Sequence, residues 1–101
     1  DAPFFYASTK APKSYAQVEY PKDVFLVFGR ESRGLPENLL ERVYDRCIRI
    51  PMIEGARSLN LSNSVAIVTY EALRQHHFEH LLDRGALTGR DEQPGAWMDY
   101  L

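Results

Sequence analysis

The sequence predicts an α/β fold, a mostly parallel sheet with flanking helices. Short β-prone segments alternate with helical ones along the chain. Val24-Phe25-Leu26-Val27-Phe28 is apolar throughout rather than alternating, the pattern of a strand covered on both faces. Leu61, Val65, Val68 and Ala72 recur at helical spacing and form a stripe turned toward a core.

Taken in order, Phe4 to Ser8 is aromatic and β-prone and reads as a first strand, closed by Thr9 and Lys10. The stretch to Pro21-Lys22-Asp23 carries prolines and polar residues and reads as a connection. Val24–Phe28 follows as the second strand and ends at Gly29. A helix is expected from Pro36, because proline suits the first turn, where its missing N–H costs nothing. Leu39, Leu40 and Val43 line one side of it. Cys47-Ile48-Arg49-Ile50 is a third short strand, stopped by Pro51. The long helix runs from Leu61 to about His76, and a further short one from His77 to Arg84 is expected to end at Gly85. Trp97, Met98, Tyr100 and Leu101 would be out of place in solvent and are expected to dock on this chain or a partner.

At 101 residues the chain holds one domain with a modest core. Its composition, 45% apolar and 26% charged, excludes disorder as the main state. No apolar run has the length of a membrane helix, and Asp1-Ala2-Pro3-Phe4 begins nothing like a secretion signal. The single cysteine, Cys47, cannot form an internal disulfide, which points to the cytoplasm. It reads as a small buried hydrophobe. The net charge of −2 neither requires nor forbids a nucleic-acid partner. Lacking an initiator Met and entering a strand almost at once, the chain reads as part of a larger domain.

Two glycine-bearing loops follow the two best strands, and each leads into a helix. One is Gly29-Arg30-Glu31-Ser32-Arg33-Gly34; the other runs from Ile50-Pro51-Met52 to Ser58-Leu59-Asn60. In open parallel sheets ligands bind beyond the carboxyl ends of the strands, where both loops sit. Gly29 and Gly34 would let backbone approach a ligand closely. The G-x-G-x-x-G fingerprint of phosphate binding is missing, so the junctions alone do not name a ligand.

The motifs carry more. Phe28-Gly29-x-Glu31-x-x-Gly34-Leu35-Pro36 is followed by Arg49-Ile50-Pro51-Met52. Then come Ser58-Leu59-Asn60-Leu61-Ser62-Asn63-Ser64-Val65 and Tyr70-Glu71-Ala72-x-Arg74-Gln75. From about Phe4 to His77 the chain resembles the last two motifs of the SPOUT (trefoil-knot) RNA 2′-O-methyltransferases. It is most similar to those acting on the wobble nucleotide, position 34 of the tRNA anticodon loop. The resemblance implies S-adenosylmethionine as cofactor, bound bent within a knot and held largely by backbone. It also implies a homodimer whose subunits complete each other's active sites.

Carried over by position, the resemblance places Ala7, Gly29, Gly34, Ile50, Met52, Ser58 and Leu59 at the cofactor. It implies catalytic roles for Glu31, Asn60 and Tyr70. Arg30, Arg33, Arg57 and Arg74 are candidates for RNA phosphate, which suits arginine's planar fork. Plainer readings stand beside these. Glu31 would stabilise the first turn of the Pro36 helix, Ser58 or Asn60 would cap the long helix, and Tyr70 would be a core or interface aromatic. His76 and His80 lie one helical turn apart, but no pattern of metal ligands accompanies them, and no metal is expected.

The implied reaction is an in-line methyl transfer to a ribose 2′-OH. Positioning supplies about 7–11 kcal/mol of such a barrier, and a general base about 10²–10⁴-fold. The family's activating arginine comes from a motif nearer the start of the domain, and these 101 residues hold no counterpart. The chain therefore reads as the C-terminal portion of one domain, inactive by itself. A non-catalytic RNA- or cofactor-binding remnant, methylation at another tRNA or rRNA site, and an unrelated nucleotide-binding domain are the alternatives.

Overall fold

The computed structural model describes residues 3–30, 33–55 and 59–89. The expectations placed on Glu31, Arg57, Ser58 and the Trp97–Leu101 tail lie outside these residues. Three parallel strands form the sheet: β1 (Phe4–Ala7), β2 (Phe25–Val27) and β3 (Cys47–Ile48), in the order β2-β1-β3. Phe4 pairs with Phe25 and Tyr6 with Val27 on one side of β1; Tyr6 pairs with Cys47 and Ala7 with Ile48 on the other. Two helices follow their loops, α1 (Glu37–Arg42) and α2 (Leu61–Gln75), and a single 3₁₀ turn (Tyr44–Arg46) leads into β3. The parallel sheet and the order of elements match the expected class.

Alternation along the strands sorts the side chains onto two faces. Phe5, Leu26 and Ile48 share one face and pack with Tyr20 and with Val68 and Ala72 of α2. Ile48 and Val68 are each 1% exposed, and full burial of such side chains contributes about 1.5–3 kcal/mol apiece. Cys47 points to the opposite face, is fully buried, and its Sγ donates to the Val43 carbonyl beyond α1 at 3.3 Å. Burial pushes its thiol pKa upward, which fits a structural cysteine.

Three expectations are corrected. Phe25 is 56% exposed, so β2 is not covered on both faces. It lies on the sheet edge, and its ring stacks on Phe4 with centroids 4.9 Å apart. On α2, Val65 is 38% exposed although it falls in the apolar stripe. The N-terminal half of the helix turns Leu61, Ser64 and Val68 toward a hollow and leaves Val65 on its flank.

The helix expected over His77–Arg84 does not form. α2 ends at Gln75 with His76 as its cap, and the chain reverses through positive φ angles at His77, Phe78 and His80. The amide of Phe78 donates to Leu73 O at 2.9 Å and that of His77 to Arg74 O at 3.0 Å. These are the paired bonds that close a helix through a left-handed residue, here a histidine instead of the usual glycine. The connection before β2 also holds a core residue that its polar composition hid. Tyr20 is 2% exposed and meets Phe5 edge-on at 5.2 Å.

Candidate functional site

The carboxyl ends of all three strands and the start of α2 converge on one hollow of about 230 Å³. β1 contributes Ala7 and the following Ser8, Thr9 and Lys10. The loop after β2 contributes Phe28, Gly29, Arg30, Arg33 and Gly34, and the chain after β3 contributes Arg49, Ile50 and Met52. Leu59, just before α2, and Leu61, Ser64 and Val68 on the helix close it. This is the position at which open parallel sheets take ligands. The volume lies below the roughly 300–1,000 Å³ of most small-molecule pockets, so these residues would wall part of a ligand of that size.

The loop after β2 has its shape from two glycines with different tasks. The amide of Gly34 donates to Arg30 O at 2.8 Å, folding the loop back upon its own start. A Cβ on Gly29 would stand 2.1 Å from the carbonyl carbon of Gly34, so the return of the loop excludes any side chain there. Gly34 has φ +68°, in the left-handed region that glycine enters without strain, and open space where a Cβ would point. Gly29 makes room for the loop itself.

At the start of α2, the Asn60 side-chain oxygen accepts from the amides of Ser62 at 2.8 Å and Asn63 at 3.4 Å. The capping reading of Asn60 is thus what the structure shows, and Asn60 is not in the wall of the hollow. Tyr70 is 60% exposed and also outside the wall. Two residues past Val68, it is turned by about 200° around the helix from that cavity residue. Arg74 lies on α2 away from the hollow, and its guanidinium makes two bonds to Glu71, at 2.7 and 2.9 Å. That pairing, and a bond from Gln75, hold the Glu71 carboxyl below the usual carboxylate range. His76 Nε2 meets the Tyr20 carbonyl oxygen.

Of the expected cofactor residues, Ala7, Gly29, Gly34, Ile50, Met52 and Leu59 all lie in the one wall, together with Arg30 and Arg33. Sequence reasoning missed Ser8, Thr9, Lys10, Arg49, Leu61 and Ser64. Thr9 and Lys10 could have been found from their place directly after a parallel strand; Ser64 is one turn beyond the cap. The charged groups among the described wall residues are all cationic: Lys10, Arg30, Arg33 and Arg49. Lys10 is engaged by Glu37, which this contact holds below its ordinary pKa. No carboxylate and no histidine belongs to the described wall.

The sequence pattern of the SpoU rRNA Methylase family matches residues 2–70. The chain belongs to that family. A Geobacillus stearothermophilus protein, provisionally named a tRNA (cytidine(34)-2′-O)-methyltransferase, is 47% identical over 81 residues, or 77% of this chain and 52% of its own length. A solved structure described as giving insight into the 2-OH methylation of C/U34 on tRNA is 39% identical and superposes with a TM-score of 0.69. That match covers 75% of this chain and 46% of the other. A SpoU methyltransferase from Streptomyces viridochromogenes, solved with the cofactor AdoMet, is 26% identical with a TM-score of 0.67, over 77% and 30% of the two chains. This SpoU-family chain spans about half the length of the curated relatives it matches. Among the described residues, no helix is long and apolar enough to cross a membrane.

Proposed function

We propose that this SpoU-family chain forms the cofactor-binding part of an enzyme that transfers a methyl group from S-adenosylmethionine to the ribose 2′-OH of tRNA nucleotide 34. The observation that carries the proposal is the convergence of Ala7, Gly29, Gly34, Ile50, Met52 and Leu59 on a single hollow at the strand ends. The relatives' names supply the reaction class and the substrate.

The wall suits such a cofactor. Ile50, Leu59 and Leu61 offer apolar surface for a heterocycle, and the open space beside Gly34 leaves backbone accessible where a side chain would intrude. Bound there, S-adenosylmethionine supplies an electrophilic methyl group on a sulfonium. The protein's residues would hold the ribose hydroxyl beside that group and accept its proton as the new C–O bond forms and the methyl's C–S bond breaks, the demethylated thioether being the leaving group. Arg30 and Arg33, exposed at the mouth and without ion pairs among the described residues, would hold the RNA backbone. Arg57 belongs to the same proposed set, whereas Arg74 would join it only by giving up the Glu71 carboxylate.

For the chemistry itself we propose Glu31 in the loop after β2, with Asn60 acting through the cap that fixes the start of α2. Tyr70, turned out from this chain's own hollow, would serve a second copy in a cytoplasmic homodimer. That arrangement is supported by the exposure of Tyr70 and Val65 on one helix. The chain spans about half the length of its curated relatives, which favours a second reading for these 101 residues taken alone: a cofactor-binding half that is inactive until completed.

The complete protein, incubated with tRNA and isotopically labelled S-adenosylmethionine, should yield 2′-O-methylated nucleoside at position 34 by mass spectrometry. A protein that binds the cofactor but labels no tRNA overturns the reaction.

A further inference from the structure

Beside the hollow lies a second, more open recess of about 310 Å³, with Pro12, Lys13 and Ser14 on one side and Arg49, Pro51 and Met52 on the other. Arg49 and Met52 belong to both walls. Arg49 is held firmly: its amide donates to Lys13 O at 3.0 Å, and its carbonyl accepts from the Tyr15 amide at 2.8 Å. One guanidinium nitrogen, Nη1, donates to Thr9 O at 3.1 Å, while Nε–H is shut away from solvent and meets no acceptor.

Neither Arg49 nor Lys13 has a carboxylate within ion-pairing distance among the described residues, where the pairs formed use Lys10, Lys22, Arg74 and Arg84. A half-buried guanidinium and a neighbouring ammonium thus stand in one recess without counter-charge. Two cations of one recess, with no carboxylate paired to either among the described residues, favour an anion there. Arginine's fork matches the paired oxygens of a phosphate, and Pro12, Pro51 and Met52 offer apolar surface to a sugar.

We infer that this recess seats a phosphodiester of the RNA next to the nucleotide that enters the hollow, with Lys13 and Arg49 as its cationic partners. The inference rests on the methyltransferase reading. It also gives Arg49 a place in substrate recognition between the two recesses, one that the motif resemblance did not assign.

The test is binding of an anticodon stem-loop RNA to the complete protein across a salt series, with S-adenosylmethionine affinity and melting temperature measured on the same samples. Lys13→Gln should weaken RNA binding and lower the slope of log K against log salt by about one, the signature of one lost phosphate contact. Ser14→Asp, which keeps a side-chain acceptor for the Ala16 amide, should weaken RNA binding by placing negative charge in the recess. Cofactor affinity should be unchanged in both. An unaltered salt slope in Lys13→Gln together with unaltered RNA affinity in Ser14→Asp overturns the inference. So does a loss confined to the cofactor, which would make the recess part of the cofactor site. If the unsubstituted protein binds no RNA, this inference and the methyltransferase reading fall together.

Discussion

A Cβ on Gly29 would lie 2.1 Å from the carbonyl carbon of Gly34, so the loop after β2 can close only where residue 29 has no side chain. Two glycines in one motif therefore answer to different constraints. Gly29→Ala should destabilise the fold by about 1–3 kcal/mol or more, because backbone must move to admit the methyl group. Gly34→Ala meets open space and should cost about 1–2 kcal/mol, the strain of a left-handed alanine, and Gly34→Asn less. Urea denaturation of the three variants checks this ordering; equal losses at the two positions would refute it.

Asn60→Ala removes the acceptor for the Ser62 and Asn63 amides. The expected cost is about 0.5–2 kcal/mol of stability. Since Asn60 does not line the hollow, S-adenosylmethionine affinity of the folded protein should stay near normal. A tenfold or larger loss of affinity, about 1.4 kcal/mol, with an unchanged melting temperature would show that Asn60 touches the ligand directly.

The difference between these residues marks what the sequence reveals. β1, β2, β3 and α2 were legible because apolar runs and helical spacing record burial directly. Phe25 and Val65 obeyed the same patterns yet lie exposed, since a pattern states which side chains are apolar and not whether anything covers them. Tyr20 was hidden in a polar connection because its burial depends on Phe5 and α2, both distant in sequence. The reversal after His76 was missed because a histidine takes the left-handed position where glycine is the usual signal. In the hollow, the resemblance supplied the positions, and the structure supplied their meeting place and the cationic character of the described wall.

Gln75 ties the connection before β2 to the end of α2. Its side-chain oxygen accepts from the Tyr20 amide at 2.9 Å, and its nitrogen donates to Val18 O at 2.9 Å and to Glu71 at 3.0 Å. Gln75→Leu leaves a part-buried amide and carbonyl without partners, each costing about 1–3 kcal/mol. Hydrogen exchange should show the Tyr20 amide losing protection while amides in mid-α2 keep theirs. Retained protection at Tyr20 would mean that the segment is held by packing alone.

The same cluster sets a pH dependence. Bonds from Arg74 and Gln75 lower the Glu71 pKa from its ordinary 4.5. A carboxylate whose pKa is depressed in the folded state stabilises that state at pH values above the unfolded pKa. The contribution falls away as pH drops below about 4.5 toward the folded value. Glu71→Gln should therefore lower stability at pH 7 and flatten its decline in acid. Parallel stability curves for the two proteins between pH 7 and 3 would remove Glu71 as the cause.

The four arginines proposed for RNA are not equivalent in the fold. Arg30 and Arg33 line the mouth of the hollow without ion pairs among the described residues, whereas the Arg74 guanidinium is bound to Glu71. An arginine already paired must give up its carboxylate before it serves a phosphate, and this offsets most of what the new contact contributes. Arg30→Gln and Arg33→Gln should each weaken RNA binding and lower the salt slope by about one. Arg74→Gln should leave the slope nearly unchanged and act through the Glu71 cluster, lowering melting temperature. Anisotropy titrations of an anticodon stem-loop RNA over a range of salt separate the two groups. A slope that falls for Arg74→Gln as much as for Arg30→Gln would place the RNA along α2 and not over the mouth of the hollow.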